Sequence, residues 1–228
     1  GKYPYTLGNV QTDCNDIEFD DVNVGDRPVK VVHMLNSSSQ SVSPVVMHLP
    51  SYLSATVSPT TIAPGRSGVV TISLNSMKLH DYGLTQSSVY LGMYHGDKVS
   101  DDKEISVSAV LLPDFKNLSE TQRQNSPQLK LSANSLELGS FGDKEEKSGT
   151  IVITNQGKSK LDISSLQMFT SALKVRLNKS KLDPGESAKL KITAYKRHLK
   201  TARSKPRVLM ITNDPEHAKV VIHVNVKQ

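Results

Sequence analysis

The sequence is short of several residue types, and each shortage excludes something. It holds one cysteine, no tryptophan and 5% aromatic residues in 228 positions. A single thiol, Cys14, closes no internal disulfide and supplies too few ligands for a cysteine-based zinc or iron–sulfur centre. No apolar run approaches the ~20 residues that a membrane-spanning helix needs. Signatures of chemistry are missing as well: there is no G-x-S-x-G, no H-E-x-x-H, no phosphate-binding glycine loop and no dinucleotide fingerprint. The histidines, His33, His48, His80, His95, His198, His217 and His223, show neither the i, i+4 spacing of a helical metal pair nor the i, i+2 spacing of a strand pair.

The chain opens Gly1-Lys2-Tyr3-Pro4, without Met and without a charged-then-apolar leader. This reads as a mature fragment whose targeting segment has been removed, with Gly1 a cloning remnant, and the expected compartment is periplasmic or extracellular. Cys14 follows Gln11-Thr12-Asp13, which lacks the small apolar residues of a lipidation site, so it reads as an ordinary thiol. Asn36-Ser37-Ser38, Asn117-Leu118-Ser119 and Asn178-Lys179-Ser180 match the glycosylation pattern, as chance matches do in an Asn- and Ser-rich chain.

What is present is alternation. Val70, Ile72 and Leu74 alternate with Val69, Thr71 and Ser73, and Ile105, Val107 and Ala109 with Ser106 and Ser108. Leu190, Ile192 and Ala194 alternate with Lys189, Lys191 and Thr193, and Val220, Ile222, Val224 and Val226 with Val221, His223 and Asn225. A period of two gives each strand one buried and one wet face, as in antiparallel sheets. Helix-period segments are confined to Lys196–Arg203 and Ser119–Gln124, the latter with capping-box spacing between Ser119 and Gln122.

The two halves also repeat one another. Ile17-Glu18 aligns with Leu136-Glu137, and Val32-x-Met34-x-Asn36 with Ile151-x-Ile153-x-Asn155, both at an offset of 119. Ala63-Pro64-Gly65 aligns with Asp183-Pro184-Gly185 at 120, and Val89-Tyr90-Leu91 with Val208-Leu209-Met210 at 119. Pro presets φ at the second position of a tight turn and Gly accepts positive φ at the third, so both Pro-Gly pairs predict type II turns leading into core strands. Asn36 and Asn155 close strands where a side chain bonds local backbone. After the last hairpin the offset drops to 115, so the first copy has a turn about four residues longer.

About seven strands in roughly 100 residues per copy fits an immunoglobulin-like sandwich. The reading is all-β: two tandem immunoglobulin-like antiparallel β-sandwich domains from an internal duplication, at residues 1–112 and 130–228. Residues 113–129, polar and rich in Pro, form the linker. The net charge of +6 splits between them. Residues 1–118 carry 8 Lys/Arg and 12 Asp/Glu, a net −4, and residues 119–228 carry 20 and 10, a net +10.

The strand ends in Asn (VVHMLN, IVITN), the Pro-Gly turns before alternating strands (IAPGRSGVVTISL, LDPGESAKLKITA) and the terminal hairpin RVLMITNDPEHAKVVIHV carry a resemblance. The chain resembles the ASH, Hydin and major-sperm-protein group of immunoglobulin-like modules, and more narrowly a bacterial domain-of-unknown-function family of secreted or periplasmic proteins. The first copy departs at its last hairpin, where Tyr94-His95-Gly96-Asp97 replaces Asn-Asp-Pro. The resemblance implies no enzymatic activity and no cofactor, and a scaffolding or adaptor role.

Candidate sites are few. His95 and Asp97 are two potential metal ligands, short of the three a tight site needs, and read as a solvated turn. Asp13, Asp16, Glu18, Asp20, Asp21 and Asp26 lack the spacing of a calcium loop and read as the wet face of a charged edge strand. The basic residues of the second half, Lys174, Arg176, Lys189, Lys191, Lys196, Arg197, Lys200, Arg203, Lys205 and Arg207, form a candidate patch for an anionic partner. Between Lys174 and Arg207 stands one aromatic, Tyr195, where base stacking wants several, which favours an anionic glycan, lipopolysaccharide or acidic protein over nucleic acid. The leading expectation is a non-enzymatic interaction or scaffolding module binding protein. The alternatives are an anionic-polymer binder and, disfavoured by the internal repeat, a pilus-type periplasmic chaperone.

Overall fold

In the computed structural model, which describes residues 1–227, the chain divides into two compact units, Gly1–Leu111 and Leu112–Gln228. The first unit contains β1 (Tyr5–Leu7), β2 (Val10–Thr12), β3 (Asp16–Val22), β4 (Val29–Asn36), β5 (Val45–Met47), β6 (Leu53–Ser58), β7 (Ser67–Leu74), β8 (Gly83–Gly92) and β9 (Glu104–Leu111). Its two sheets have the orders β1-β2-β4-β7-β6 and β3-β9-β8-β5. The second unit contains α1 (Glu120–Gln124), β10 (Leu129–Leu131), β11 (Ser135–Ser140), β12 (Glu146–Asn155), β13 (Leu161–Met168), β14 (Leu173–Leu177), β15 (Lys181–Leu182), β16 (Ser187–Tyr195), α2 (Lys196–Leu199), β17 (Arg207–Thr212) and β18 (Lys219–Lys227). Its sheets, β10-β12-β16-β14 and β11-β18-β17-β13-β15, repeat the first unit's orders strand for strand, apart from the additional β1 and β15. Both units are immunoglobulin-like β-sandwiches.

Each core is filled by the alternating residues. Val32, Met34, Val70, Ile72, Leu74, Leu91 and Ile105 are buried in the first, and Ile151, Ile153, Leu190, Ile192, Val208, Met210 and Ile222 in the second. One strand pair per unit departs from antiparallel pairing: β3 runs parallel to β9, and β11 to β18, because the first core strand lies beside the last and points the same way. Both parallel ladders carry a bulge at the same place. It is formed by Asp20 at φ 59° in the first unit and by Gly139 at φ 68° in the second, 119 positions on.

The duplicated turn is reproduced bond for bond. Gly65 and Gly185 sit at φ 77° and 86°, and the Arg66 and Glu186 amides donate to Ala63 and Asp183 carbonyls at 3.1 and 2.9 Å. Asn36 is fully buried, and its Nδ2 donates to the carbonyls of Gln40 and Ile62 at 2.8 and 2.9 Å. Asn155, equally buried, donates to those of Ser159 and Leu182 at 2.8 and 2.9 Å. A buried amide with every bond filled is stable, whereas an apolar residue there would orphan the carbonyls. This also removes Asn36 as a glycan acceptor.

The helices are short. Ser119 caps α1 as the spacing predicts: its Oγ accepts from the Gln122 amide at 3.1 Å, and Gln122 Oε1 accepts from the Ser119 amide at 2.8 Å. The segment Lys196–Arg203 is helical only as far as Leu199. Tyr195 provides no side-chain cap, and Leu199 is the single side chain the turn buries, so little packing energy extends it.

Candidate functional site: the cationic sheet face of the second domain

The outward positions of β10-β12-β16-β14 follow from the alternation. Ala188, Leu190, Ile192 and Ala194 point inward on β16, so Lys189, Lys191 and Thr193 point out. On the edge strand β14, Lys174 and Arg176 are exposed in the same way. Register then brings the four cations together: Arg176 stands opposite Lys191 and Lys174 opposite Thr193, while Lys189 and Lys191 face Val152 and Thr150 across β12. Lys130 on β10, opposite Thr154, extends the face, a residue not included in the sequence-level patch. Its signal was present in the Leu129-x-Leu131 alternation, but three residues are too few to define a strand.

Two properties make this face unusual. Like charges directly opposite on a sheet destabilise by about 0.2–1 kcal/mol, and Arg176–Lys191 is such a pair. Among the described residues, the outward positions of these four strands hold one carboxylate, Glu146, at the end of β12 opposite Tyr195. No ion pair neutralises Lys174, Arg176, Lys189 or Lys191 among the described residues. At the corresponding positions the first domain has Ser54, Thr56, Val69 and Thr71, with Thr56 opposite Thr71. The same backbone therefore carries a neutral face in one copy and a cationic face in the other.

The remaining basic residues are dispersed. Lys196, Arg197 and Lys200 lie in or beside α2, directly after β16, and Arg203 and Lys205 in the connection that follows. Arg207 begins β17 in the opposite sheet, its guanidinium 3.6 Å from the centroid of the Phe169 ring. It is a packing residue bound by a cation–π contact, and does not share the face of β14 and β16.

The other candidate groups are occupied by the fold. Asp97 is not solvated: its side chain is 8% exposed. It accepts from the Met93 amide at 2.8 Å, the Lys98 amide at 2.7 Å and Lys103 Nζ at 3.1 Å. The Met93 amide bond above all, with that of Lys98 and the Lys103 ammonium, holds its carboxyl below the usual range. Asp214 has the equivalent duty in the second domain, where it is buried and accepts from the amides of Leu129 at 2.8 Å and Glu216 at 2.9 Å. Asp13 accepts from the His33 amide, and Asp26 from that of Asn23. Burial, then the negative charges of Asp13 and Asp16, pushes the Cys14 thiol up to about 11, so it is protonated and poorly nucleophilic at neutral pH. Among the described residues no three His, Cys, Asp or Glu side chains gather as a metal site.

Residues 127–226 match the family described as HYDIN/CFA65/VesB-like, Ig-like domain. The match spans the second sandwich, and the first sandwich shares that topology. No curated protein matches the chain. Among solved structures, a protein of unknown function from Porphyromonas gingivalis W83 is similar over 97% of this chain and 100% of its own, at 20% identity and a TM-score of 0.75, which establishes the fold. The YadV chaperone is similar over 93% of this chain and 97% of its own, at 10% identity and a TM-score of 0.30. The VesB protease of Vibrio cholerae is similar over 46% of this chain and 32% of its own, at 14% identity and a TM-score of 0.32. Neither of these two likenesses is close enough to bear on function.

Proposed function

We propose that the protein is a non-enzymatic, two-domain interaction module, secreted or periplasmic, whose second domain engages an anionic polymer through the outer face of β14 and β16. The observation that supports this most strongly is the unpaired quartet Lys174, Arg176, Lys189 and Lys191, at positions where the sister domain carries Ser54, Thr56, Val69 and Thr71. A purely solubilising face would intersperse both signs of charge. Here the cations accumulate despite their mutual repulsion, and a polyanion would relieve it while releasing its own counterions.

The test is retention of the full chain on immobilised heparin, a sulfated-glycan probe, at about 0.15 M salt, where exposed charges are screened beyond ~8 Å. Lys189→Glu with Lys191→Glu is expected to abolish retention, while Thr56→Glu with Thr71→Glu on the first domain leaves part of it. A wild-type chain that is not retained, or a double variant that elutes at the wild-type salt concentration, refutes the reading.

A further inference from the structure

The duplication also shows where the two domains cease to match. The first has the β1–β2 hairpin, turning at Gly8-Asn9, where the second has only β10. It also has Met93–Lys103 between β8 and β9, where the second has only residues 213–218 between β17 and β18. These two additions meet. The Gly8 amide donates to the Asp102 carbonyl at 3.3 Å, and the Asn9 amide approaches Met93 Sδ at 3.3 Å. Together with Gln40–Ser43 they enclose an open cleft of about 430 Å³, within the usual range for small-ligand sites.

The lining is mainly hydrogen-bonding. The side-chain amides of Asn9 and Gln40 and the hydroxyl of Ser41 make no bond within the protein among the described residues, and all three residues are exposed at the cleft. Asp97 and Lys103 neutralise one another at 3.1 Å, and Lys103 also donates to the Lys98 carbonyl at 2.9 Å. Asp102 is thus the one uncompensated charge of the cleft, held in place by the Ser100 hydroxyl. Tyr94 completes the wall and is 58% exposed, although most of the protein's large apolar side chains are buried.

We propose that this cleft binds the terminal, uncharged sugar unit of a glycan. A carboxylate accepts from two vicinal hydroxyls, side-chain amides both donate and accept, and an exposed tyrosine ring covers the C–H face of a pyranose. The Asp102 carboxylate, which no cation of the cleft offsets, disfavours an anionic ligand, and the polar lining disfavours an apolar one. This site is on the first domain and does not depend on the cationic face of the second.

The experiment is a neutral-glycan array probed with the full chain, followed by titration of the best-bound free oligosaccharide into the wild type and into Tyr94→Ala and Asp102→Asn. Both side chains are exposed and bear no core contact, so both variants fold. The expected result is saturable binding that each substitution weakens about tenfold or more, the loss of one good contact, and that is unchanged between about 0.05 and 0.5 M salt, across which an ionic contact is strongly screened. No retained neutral glycan, binding equal in Tyr94→Ala, or binding that collapses with salt overturns the proposal. Because the heparin test reads a salt-dependent signal on the other domain, either result can fail without the other.

Discussion

Replacing Asn155 by Ala tests the reasoning about the duplicated turn most directly. The side chain donates to Ser159 and Leu182 carbonyls at 2.8 and 2.9 Å and accepts from the Gln128 and Gly157 amides at 3.3 and 2.9 Å. An orphaned buried group costs about 1–3 kcal/mol. The Leu182 bond is wholly buried, and the other three lie in part-buried surroundings from which water partly rescues their groups. One full orphan of about 2–3 kcal/mol and three partial ones of about 0.5 kcal/mol each give a loss near 4 kcal/mol. That is a large share of the 5–15 kcal/mol typical of a domain. With a urea m-value of about 1–3 kcal/mol/M, the second domain's unfolding midpoint falls by roughly 1.3–4 M. The first domain's transition is expected to stay in place, and Asn36→Ala reverses the assignment. Asn155→Asp makes the same loss pH-dependent. A carboxylate facing two carbonyls has its pKa raised in the folded state, so its penalty is greatest above the ordinary carboxyl range and shrinks as pH falls toward 4, where the acid regains one donor. Urea melts of Asn155→Ala within 1 kcal/mol of wild type, or an Asn155→Asp deficit indifferent to pH, would refute the account.

Other consequences are equally concrete. In Gly157→Ala the new Cβ would collide with the Gln128 amide nitrogen and lie 2.5 Å from the Ser126 carbonyl oxygen, both backbone, so a loss of about 3 kcal/mol or more is expected in the same melts. At Gly139 a Cβ meets only Lys147 Nζ at 3.7 Å, and Gly139→Ala loses about 1 kcal/mol from its positive φ alone. The lowered carboxyl pKa of Asp97 contributes stability that is present above the ordinary Asp range and lost as pH falls through the folded value. Asp97→Asn is accordingly expected to destabilise the first domain at pH 7 and to flatten its acid limb below about pH 4, as followed by thermal melts against pH.

Much of the fold was legible because its determinants are local. Alternation at Val70–Leu74 and Leu190–Ala194 names the buried face without reference to any neighbour, and Pro64-Gly65 and Pro184-Gly185 fix a turn from their own dihedral preferences. The capping box at Ser119 and Gln122 was equally local. Pairing direction was less legible: β3 with β9 and β11 with β18 are parallel, because which strand lies beside the first is decided across the whole domain. Asp97 read as a solvated turn because its three donors, Met93, Lys98 and Lys103, come together only once the hairpin closes.

The candidate surfaces divide in the same way. Ten basic residues could be marked from charge, but Arg207 left the group when β17 joined the opposite sheet and stacked its guanidinium on Phe169. Arg176 and Lys191 became neighbours through the register of β14 on β16. The cleft beside Tyr94 had no sequence signal, since Gly8, Gln40 and Asp102 are far apart along the chain and meet only in the folded domain. The sequence by itself determined the two-fold repeat, the faces of the strands and the opposite charges of the copies, because periodicity, turn chemistry and charge are properties of short segments. Tertiary structure alone decided which cations share a face and where a cleft opens, because both depend on contacts between segments that only chain closure brings together.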